Sequence, residues 1–339
     1  MKNVKEIVIL RATVLSAIRV FFDSQGFLEV DTPLMVAAPD TEPTIEPFQT
    51  TWHESGQSHQ AYLIPSPEFL IKRLLAEKVG NLYQLGKSFR NYEPSQAQHN
   101  PEFQLLEWYR ANADYTDIMT DCENLLHFTI SRLGKQVVDF SYQGKKVDVT
   151  KPWERLSVSE AFQKYAQIDQ ETLLDETTLV AAAAKKGYST VDASYDDLFY
   201  QILLNEIEPH LGITKPTFLY DYPLSQAALA RKKQKDPRLA ERFELYIAGL
   251  ELANAFSELT NWQEQEKRLQ AQLKTRQKNG QPTWDYDRDL IEALKKDLSP
   301  TGGIALGVDR LIMLLADAAE ITTVLPFSAA KLFNLEKVI

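Results

Sequence analysis

The sequence predicts an α+β fold, a mixed and mostly antiparallel sheet flanked by helices, and three stretches carry that expectation. Residues 89 to 110, FRNYEPSQAQHNPEFQLLEWYR, begin and end like strands around a polar, proline-bearing middle from Pro94 to Asn100, so they read as a hairpin. RFELYIAGLELANAFSEL is a second hairpin, turning at Ala248-Gly249. TGGIALGVDRLIMLLAD is a glycine-punctuated strand that runs into an apolar helix. Strands joined by hairpins, without regular crossover helices between them, argue for antiparallel pairing.

The remaining elements follow in order. Ile7, Val8, Leu10, Val14, Leu15, Ile18, Phe21 and Phe22 recur at helical spacing, and Gly26 follows as a stop, which predicts a helix over 5–24. FLEVDTPLM predicts a short strand ending at Pro33. Residues 37–60, rich in Pro, Thr, Glu and Gln, predict a loop with a strand near Phe48. Ser66-Pro67-Glu68 ahead of FLIKRLLAEKV has the form of an N-cap, a first-turn proline and an acidic first turn. NLYQLGKSFRN is the strand leading into the first hairpin. Beyond it come a helix at 115–134, a hairpin turning at Gln143-Gly144, helices at 157–166, 171–187 and 195–209, the strand PTFLYDYPL, a charged helix at 261–279 and a helix at 287–297. There is no internal repeat, low-complexity tract or flexible linker, so residues 1–339 read as one domain.

Bulk properties narrow the class. The chain has 339 residues, 44% hydrophobic and 25% charged, within the range of ordinary globular proteins. One cysteine, Cys122, excludes an intrachain disulfide framework and fits a reducing compartment. Arg11 interrupts the N-terminal apolar run, and no run has the length of a membrane span, so a cytoplasmic protein without a membrane partner is expected. A net charge of −10 argues against a broad nucleic-acid-binding face.

Within the first hairpin, Phe103, Leu105, Glu107 and Tyr109 share strand parity and project to one face. A ring, a carboxylate and a phenol suit a flat base and a cation; on parity alone, Glu107 fits a solvent face equally well. In the second hairpin, a two-residue turn pairs Tyr246 with Glu251 and Glu244 with Ala253, placing Glu244 and Glu251 diagonally on one face. Two carboxylates with phosphate oxygens are a usual way to hold Mg2+. Glu258 has the opposite parity to Glu251, so both face one pocket only if the strand is bulged, and the small residues Ala253 and Ala255 around Asn254 are the expected place. Gly302-Gly303 and Gly307 precede a helix whose first turn holds Arg310, an arrangement that favours phosphate.

These three elements, in this order, resemble motifs 2 and 3 of the class II aminoacyl-tRNA synthetases, and GFLEVDTP with Pro33 resembles motif 1. HNPEF, the LEWY segment, the ERFELY–LELANAFSEL hairpin and ALGVDRL are most similar to the lysyl-tRNA synthetase subclass, over about residues 7–335. Motif 1 begins almost at the initiator, so the anticodon-binding barrel of those synthetases is expected to be absent. A catalytic core alone resembles the elongation factor P lysine ligases, which load (R)-β-lysine onto a lysine of that factor. YPLSQAALA matches their pattern, and Ala253 stands where lysyl-tRNA synthetases carry glycine; in the ligases that alanine favours β-lysine by reshaping the α-amino end of the pocket.

The resemblance implies an ATP-dependent ligase with Mg2+, a homodimer formed through motif 1, that activates lysine or β-lysine as an adenylate and transfers it to elongation factor P. Arg90 and Arg310 take the catalytic roles. Arg90, Asn91, His99, Asn100, Phe103, Glu251, Leu252, Gly307 and Arg310 bind ATP, with Phe103 stacking adenine. Glu244 and Glu251 carry Mg2+. Ser66, Pro67 and Glu68 lie at the reacting end of the amino acid, with Ala253 at its α-amino end, while Glu107, Tyr109 and Glu258 bind its distal ammonium with Asn254 nearby. The alternatives are a stand-alone lysyl-tRNA synthetase-like core acting on tRNA or another acceptor, and a catalytically silent regulatory paralogue.

Some positions depart from the family pattern. Tyr92 interrupts the usual Arg-Asn-Glu, so the acid is Glu93. The motif 2 loop is one residue longer, and Gln96 or Gln98 replaces its basic tip. Ala255 stands where the ligases have glycine, and the SEL at Ser257 is closer to the synthetases. The basic run ARKKQKDPR (230–238) suits either a solvated loop or a face for tRNA or an acidic protein.

Overall fold

The computed structural model describes residues 3–93 and 97–335. Its centre is an eight-stranded sheet of β1 (Leu28–Glu29), β2 (Leu82–Phe89), β3 (Glu102–Ala111), β4 (Glu154–Ser157), β5 (Thr217–Pro223), β6 (Leu239–Ile247), β7 (Leu250–Ser257) and β8 (Thr301–Gly307). The spatial order is β1-β2-β3-β8-β7-β6-β5-β4. Only the two edge pairs, β1 with β2 and β4 with β5, are parallel. The mixed, mostly antiparallel sheet expected from the hairpins is therefore present.

One face of the sheet is the main core. Trp108 of β3, Ile304 of β8, Ala255 of β7 and Phe243 of β6 lie in register across it. They pack under α1 (Val4–Ser24), α3 (Tyr115–Arg132) and α6 (Val308–Ala316). The helix α2 (Glu68–Ala76), together with α4 (Trp262–Lys278) and α5 (Arg288–Leu294), builds a smaller core with Tyr109 on the other face. Residues 158–210 fold into a helical cap with its own core. The opposite face of the central strands is left for polar side chains.

Several expected elements take a different form. FLEVDTPLM is split: only Leu28–Glu29 joins the main sheet, while Met35–Val36 joins a second, three-stranded sheet. Pro33 falls between the two and has no N–H to continue a ladder. Residues 37–60 hold more strand than expected, because Gln49–Glu54 pairs with Gln57–Leu63 around Ser55-Gly56. Most of this hairpin is exposed on both faces, which leaves no hydrophobic alternation to read. The 171–187 helix is two helices, Gln170–Leu174 and Glu176–Lys185; Asp175 ends the first and caps the second by accepting the Thr178 N–H. Among the described residues, no helix is long and apolar enough to cross a membrane.

Candidate active site

The site is set by the parity of β3, β8, β7 and β6. The Ala248-Gly249 turn has both residues at positive φ (58° and 84°), as a tight hairpin with the right-handed strand twist requires. Tyr246 then faces Glu251, as expected, but Glu244 faces Asn254 and not Ala253. The register shifts because Leu252 is an extra residue between Glu251 and Ala253. The bulge that Glu258 needs is thus present one residue earlier than the Ala253–Ala255 stretch, and the ladder from Ala253 to Ser257 against β8 is unbroken. Past the bulge, Asn254, Phe256 and Glu258 share a face with Glu251. Ala253 and Ala255 turn into the main core, as does Leu252. Ala253 and Leu252 therefore meet the site only through the strand backbone.

The amine end is buried and densely paired. Ser66 Oγ donates to Glu107 Oε1 at 2.5 Å, and Tyr109 Oη donates to Glu107 Oε2 at 2.9 Å. These contacts and its burial place Glu107 on the site face and not in solvent. The Glu68 N–H donates to Ser66 Oγ at 3.0 Å, while Pro67 occupies the position before the helix. Ser66 and Glu68 line one cavity with Asp40 and Asp287. Between the carboxylates stands Lys72, 1% exposed, with its ammonium 2.5 Å from Glu68 Oε1 and 2.6 Å from Glu258 Oε2. It also lies 5.4 Å from the Phe256 ring centroid.

Charges this crowded shift one another. Burial, then Glu68, pushes the Glu107 carboxyl up to about 8, against the hydrogen bonds from Ser66 and Tyr109. Burial likewise pushes Glu258 up to about 8, opposed by Lys72. Burial works against the charge on Lys72, but Glu258 and Glu68 outweigh it and hold the ammonium above its ordinary value. Gly303 makes the room: a Cβ there would lie 2.0 Å from Glu258 Oε1 and 2.6 Å from the Tyr109 ring. Gly302 is likewise confined, 2.7 Å from the Asp114 carbonyl oxygen. The glycine pair therefore serves packing and the amine end.

The nucleotide end is more open. Arg90 stacks its guanidinium 5.2 Å from the Phe103 ring centroid, and its Nε is buried without a partner. An orphaned buried donor on a cation fits an anion such as an α-phosphate or a carboxylate. Arg310, in the first turn of α6, donates to the Glu251 carbonyl oxygen at 2.7 Å and lies 3.4 Å from Glu251 Oε2. It also reaches the Gln98 carbonyl oxygen at 3.4 Å and His99 Nε2 at 3.5 Å. His99 Nδ1 meets Glu93 Oε2 at 2.5 Å, so the displaced acid of motif 2 orients the histidine. That hydrogen bond holds the Glu93 carboxyl below its usual value. At Gly307 a Cβ would meet nothing closer than 3.8 Å, so the space above it is free for a ligand.

Asn100 and Asn91, both expected at the nucleotide, also make contacts within the chain. The Asn100 amide donates to the Glu102 carbonyl oxygen at 2.5 Å and accepts the Ala329 N–H at 2.9 Å, tying the loop to the C-terminal segment. Asn91 accepts the Tyr92 N–H at 3.0 Å, and its own N–H donates to the Glu46 carbonyl oxygen. Gln96 lies outside the described residues.

For a divalent cation, the two expected ligands differ. Glu251 has a half-exposed carboxylate beside Arg310. Glu244 is buried and accepts Tyr222 Oη and Tyr246 Oη on Oε2 and Arg242 Nη2 on Oε1, each at 2.6 Å. One lone-pair direction on Oε1 is then all it has to spare. Among the described residues no group of three or more His, Cys, Asp or Glu side chains is arranged to hold a metal. The donor set therefore fits a cation whose shell is completed by phosphate oxygens and water. Arg242 also donates to Asn254 Oδ1 at 3.0 Å. Glu208, which ends the helical cap, is a third nearby carboxyl: burial, with Glu251 and Glu244, pushes it up to about 7.

A family model described as "tRNA synthetases class II (D, K and N)" matches residues 1–331. The chain belongs to this class II synthetase family. Among its relatives, a Yersinia enterocolitica protein named elongation factor P--(R)-beta-lysine ligase is 41% identical over 326 residues, covering 95% of this chain and 94% of the relative. Proteins of the same name from Salmonella paratyphi B and Salmonella enteritidis PT4 are 40% identical, over 94% of this chain and 93% of theirs. As a class II synthetase-like ligase, this chain uses ATP.

Lys72, Arg242, Tyr222 and Glu208 were not singled out by sequence. Arg242 shares parity with Glu244, so its place was available to the same argument. Lys72 had a signal too, four residues after Glu68, but such pairs usually sit on exposed helix faces.

Proposed function

We propose that this class II ligase activates lysine or (R)-β-lysine with ATP and transfers it to a lysine side chain of elongation factor P. The observation that carries the reading is the buried amine end: Glu68, Glu107, Glu258 and Tyr109 gathered on the sheet face that also presents the unpaired Arg90 donor. ATP with Mg2+ supplies the leaving pyrophosphate and part of the charge stabilisation. Arg90 orients the amino-acid carboxylate against the α-phosphate and stabilises the charge that develops there. Phe103 and Arg310 flank the base and phosphates, Glu251 with Glu244 behind it meets the cation, and Glu107, Tyr109 and Glu258 hold the distal ammonium. No side-chain nucleophile is required.

The names of the relatives support the acceptor. So does the basic run: Arg231, Lys232, Lys233 and Arg238 pair with Glu241, Glu264, Asp221, and Glu171 with Asp236, which leaves little free positive surface for tRNA. A single catalytic domain working in the cytoplasm as a homodimer belongs to the reading. Val4, Val8 and Ile9 of α1 and, beside Pro33, Leu34 and Met35 are exposed apolar residues available for that contact. The test is a transfer assay with elongation factor P and tRNA side by side and both lysine isomers. Labelling of the factor supports the proposal; preferential labelling of tRNA overturns it.

A further inference from the structure

Lys72 has an unusual place for a lysine. It is on α2, faces inward, and its ammonium is shared between a carboxylate of its own helix, Glu68, and one from the far side of the site, Glu258. Glu68 belongs to the Ser66-Pro67-Glu68 turn expected at the reacting end of the amino acid, and Glu258 is one of the groups proposed to hold its distal ammonium. Their separation is then limited by the two contacts, 2.5 and 2.6 Å, to one nitrogen. Glu258 Oε1 lies against the Gly303 backbone, in space that a Cβ at that position would fill.

We propose that Lys72 is a positioning and specificity-determining residue: it acts as a built-in cation that ties the two ammonium-binding carboxylates together and so sets the length of diamino acid the site accepts. The inference rests on the proposed function for its substrate, but the bridge itself exists without one. The groups facing Lys72 come from every wall. Glu68 is on α2, Glu258 and Phe256 are on the segment at the end of β7, and Glu107 and Tyr109 are on β3, with Asp40 beyond Glu68. Lys72 is the cation among them, so removing it leaves the carboxylates to repel one another and to hold protons to higher pH.

Two variants separate positioning from folding: Lys72→Met keeps the stem and loses the charge, and Lys72→Arg keeps the charge. In the ligand-free proteins, 13C-glutamate NMR follows the carboxyl titrations. The proposal expects Lys72→Met to move at least one glutamate midpoint up by a pH unit or more, and Lys72→Arg to restore it in part. In ATP–pyrophosphate exchange, the acid limb of kcat/KM for the amino acid, which reports the free enzyme, should move up with it. The wild type should favour its lysine isomer over the homologue one methylene shorter by about tenfold or more, the scale of one methylene in a binding site, and Lys72→Met should lose most of that preference. Unmoved midpoints in the NMR titration, or an unchanged acid limb and methylene preference, would overturn the role of Lys72. A wild type that exchanges with no lysine isomer would instead defeat the proposed function, with the NMR arm still deciding the bridge.

Discussion

At the amine end, Lys72 pairs with Glu68 and Glu258, and Ser66 and Tyr109 donate to Glu107, with Glu258 Oε1 left without a donor; at the nucleotide end Arg90 Nε is buried with no partner at all. The first region already holds a cation of the protein's own beside spare acceptor capacity, and the second keeps a donor in reserve. The difference follows from what each would bind. An ammonium needs ionised carboxylates, which cannot be buried together without a counter-charge. A phosphate brings its own charge to an arginine that stays protonated at any working pH.

The largest effect should come from breaking the paired end. Glu258→Ala leaves the buried Lys72 with Glu68 alone, and losing one partner of such a pair costs about 3–5 kcal/mol. Urea denaturation checks the stability, and lysine-dependent pyrophosphate exchange should vanish. Arg90→Ala makes the opposite case. It should lower kcat by about 10²–10³, with little change in the urea midpoint because its Nε has no partner to lose. A strongly destabilised Arg90→Ala would break the contrast.

Gly303→Ala sharpens it further. The added methyl would strike Glu258 Oε1 and the Tyr109 ring, and overpacking of this kind costs about 1–3 kcal/mol. KM for the amino acid should rise while KM for ATP stays near the wild type. Steady-state kinetics with each substrate varied in turn would separate the two.

The contrast can also be sharpened through pH dependence. The folded protein holds a proton on Glu107 up to about pH 8, whereas an unfolded glutamate releases it near 4.5. Between those values the folded state binds more protons, so its stability contribution from this group falls as pH rises from about 4.5 to about 8. Ammonium binding has the opposite sense, since it needs Glu107 ionised. Thermal melts should therefore decline across that window, more shallowly in Glu107→Gln, while kcat/KM for the amino acid climbs toward pH 8.

How much of this was legible in sequence depended on which rule governed each residue. The Ala248-Gly249 turn and the Tyr246–Glu251 pairing follow from hairpin geometry, and the parity of Glu107 with Tyr109 follows from strand geometry. The need for a bulge before Glu258 was equally readable. Its position was not: the extra residue is Leu252, whose side chain stays in the core, and neither small neighbour marks it. Lys72 was hidden because its neighbours in space, Glu258 and Phe256, are nearly 190 residues away in the chain. The tie from Asn100 to the C-terminal segment was hidden in the same way, because a strand pattern says nothing of Ala329, 229 residues on.

The most direct test of the central claim is pyrophosphate exchange on the purified full chain with four amino acids: L-lysine, (R)-β-lysine, norleucine and aspartate. The site described here predicts exchange with one or both lysine isomers and none with norleucine, which lacks the distal ammonium, or with aspartate. Exchange with norleucine as rapid as with the lysines would contradict it.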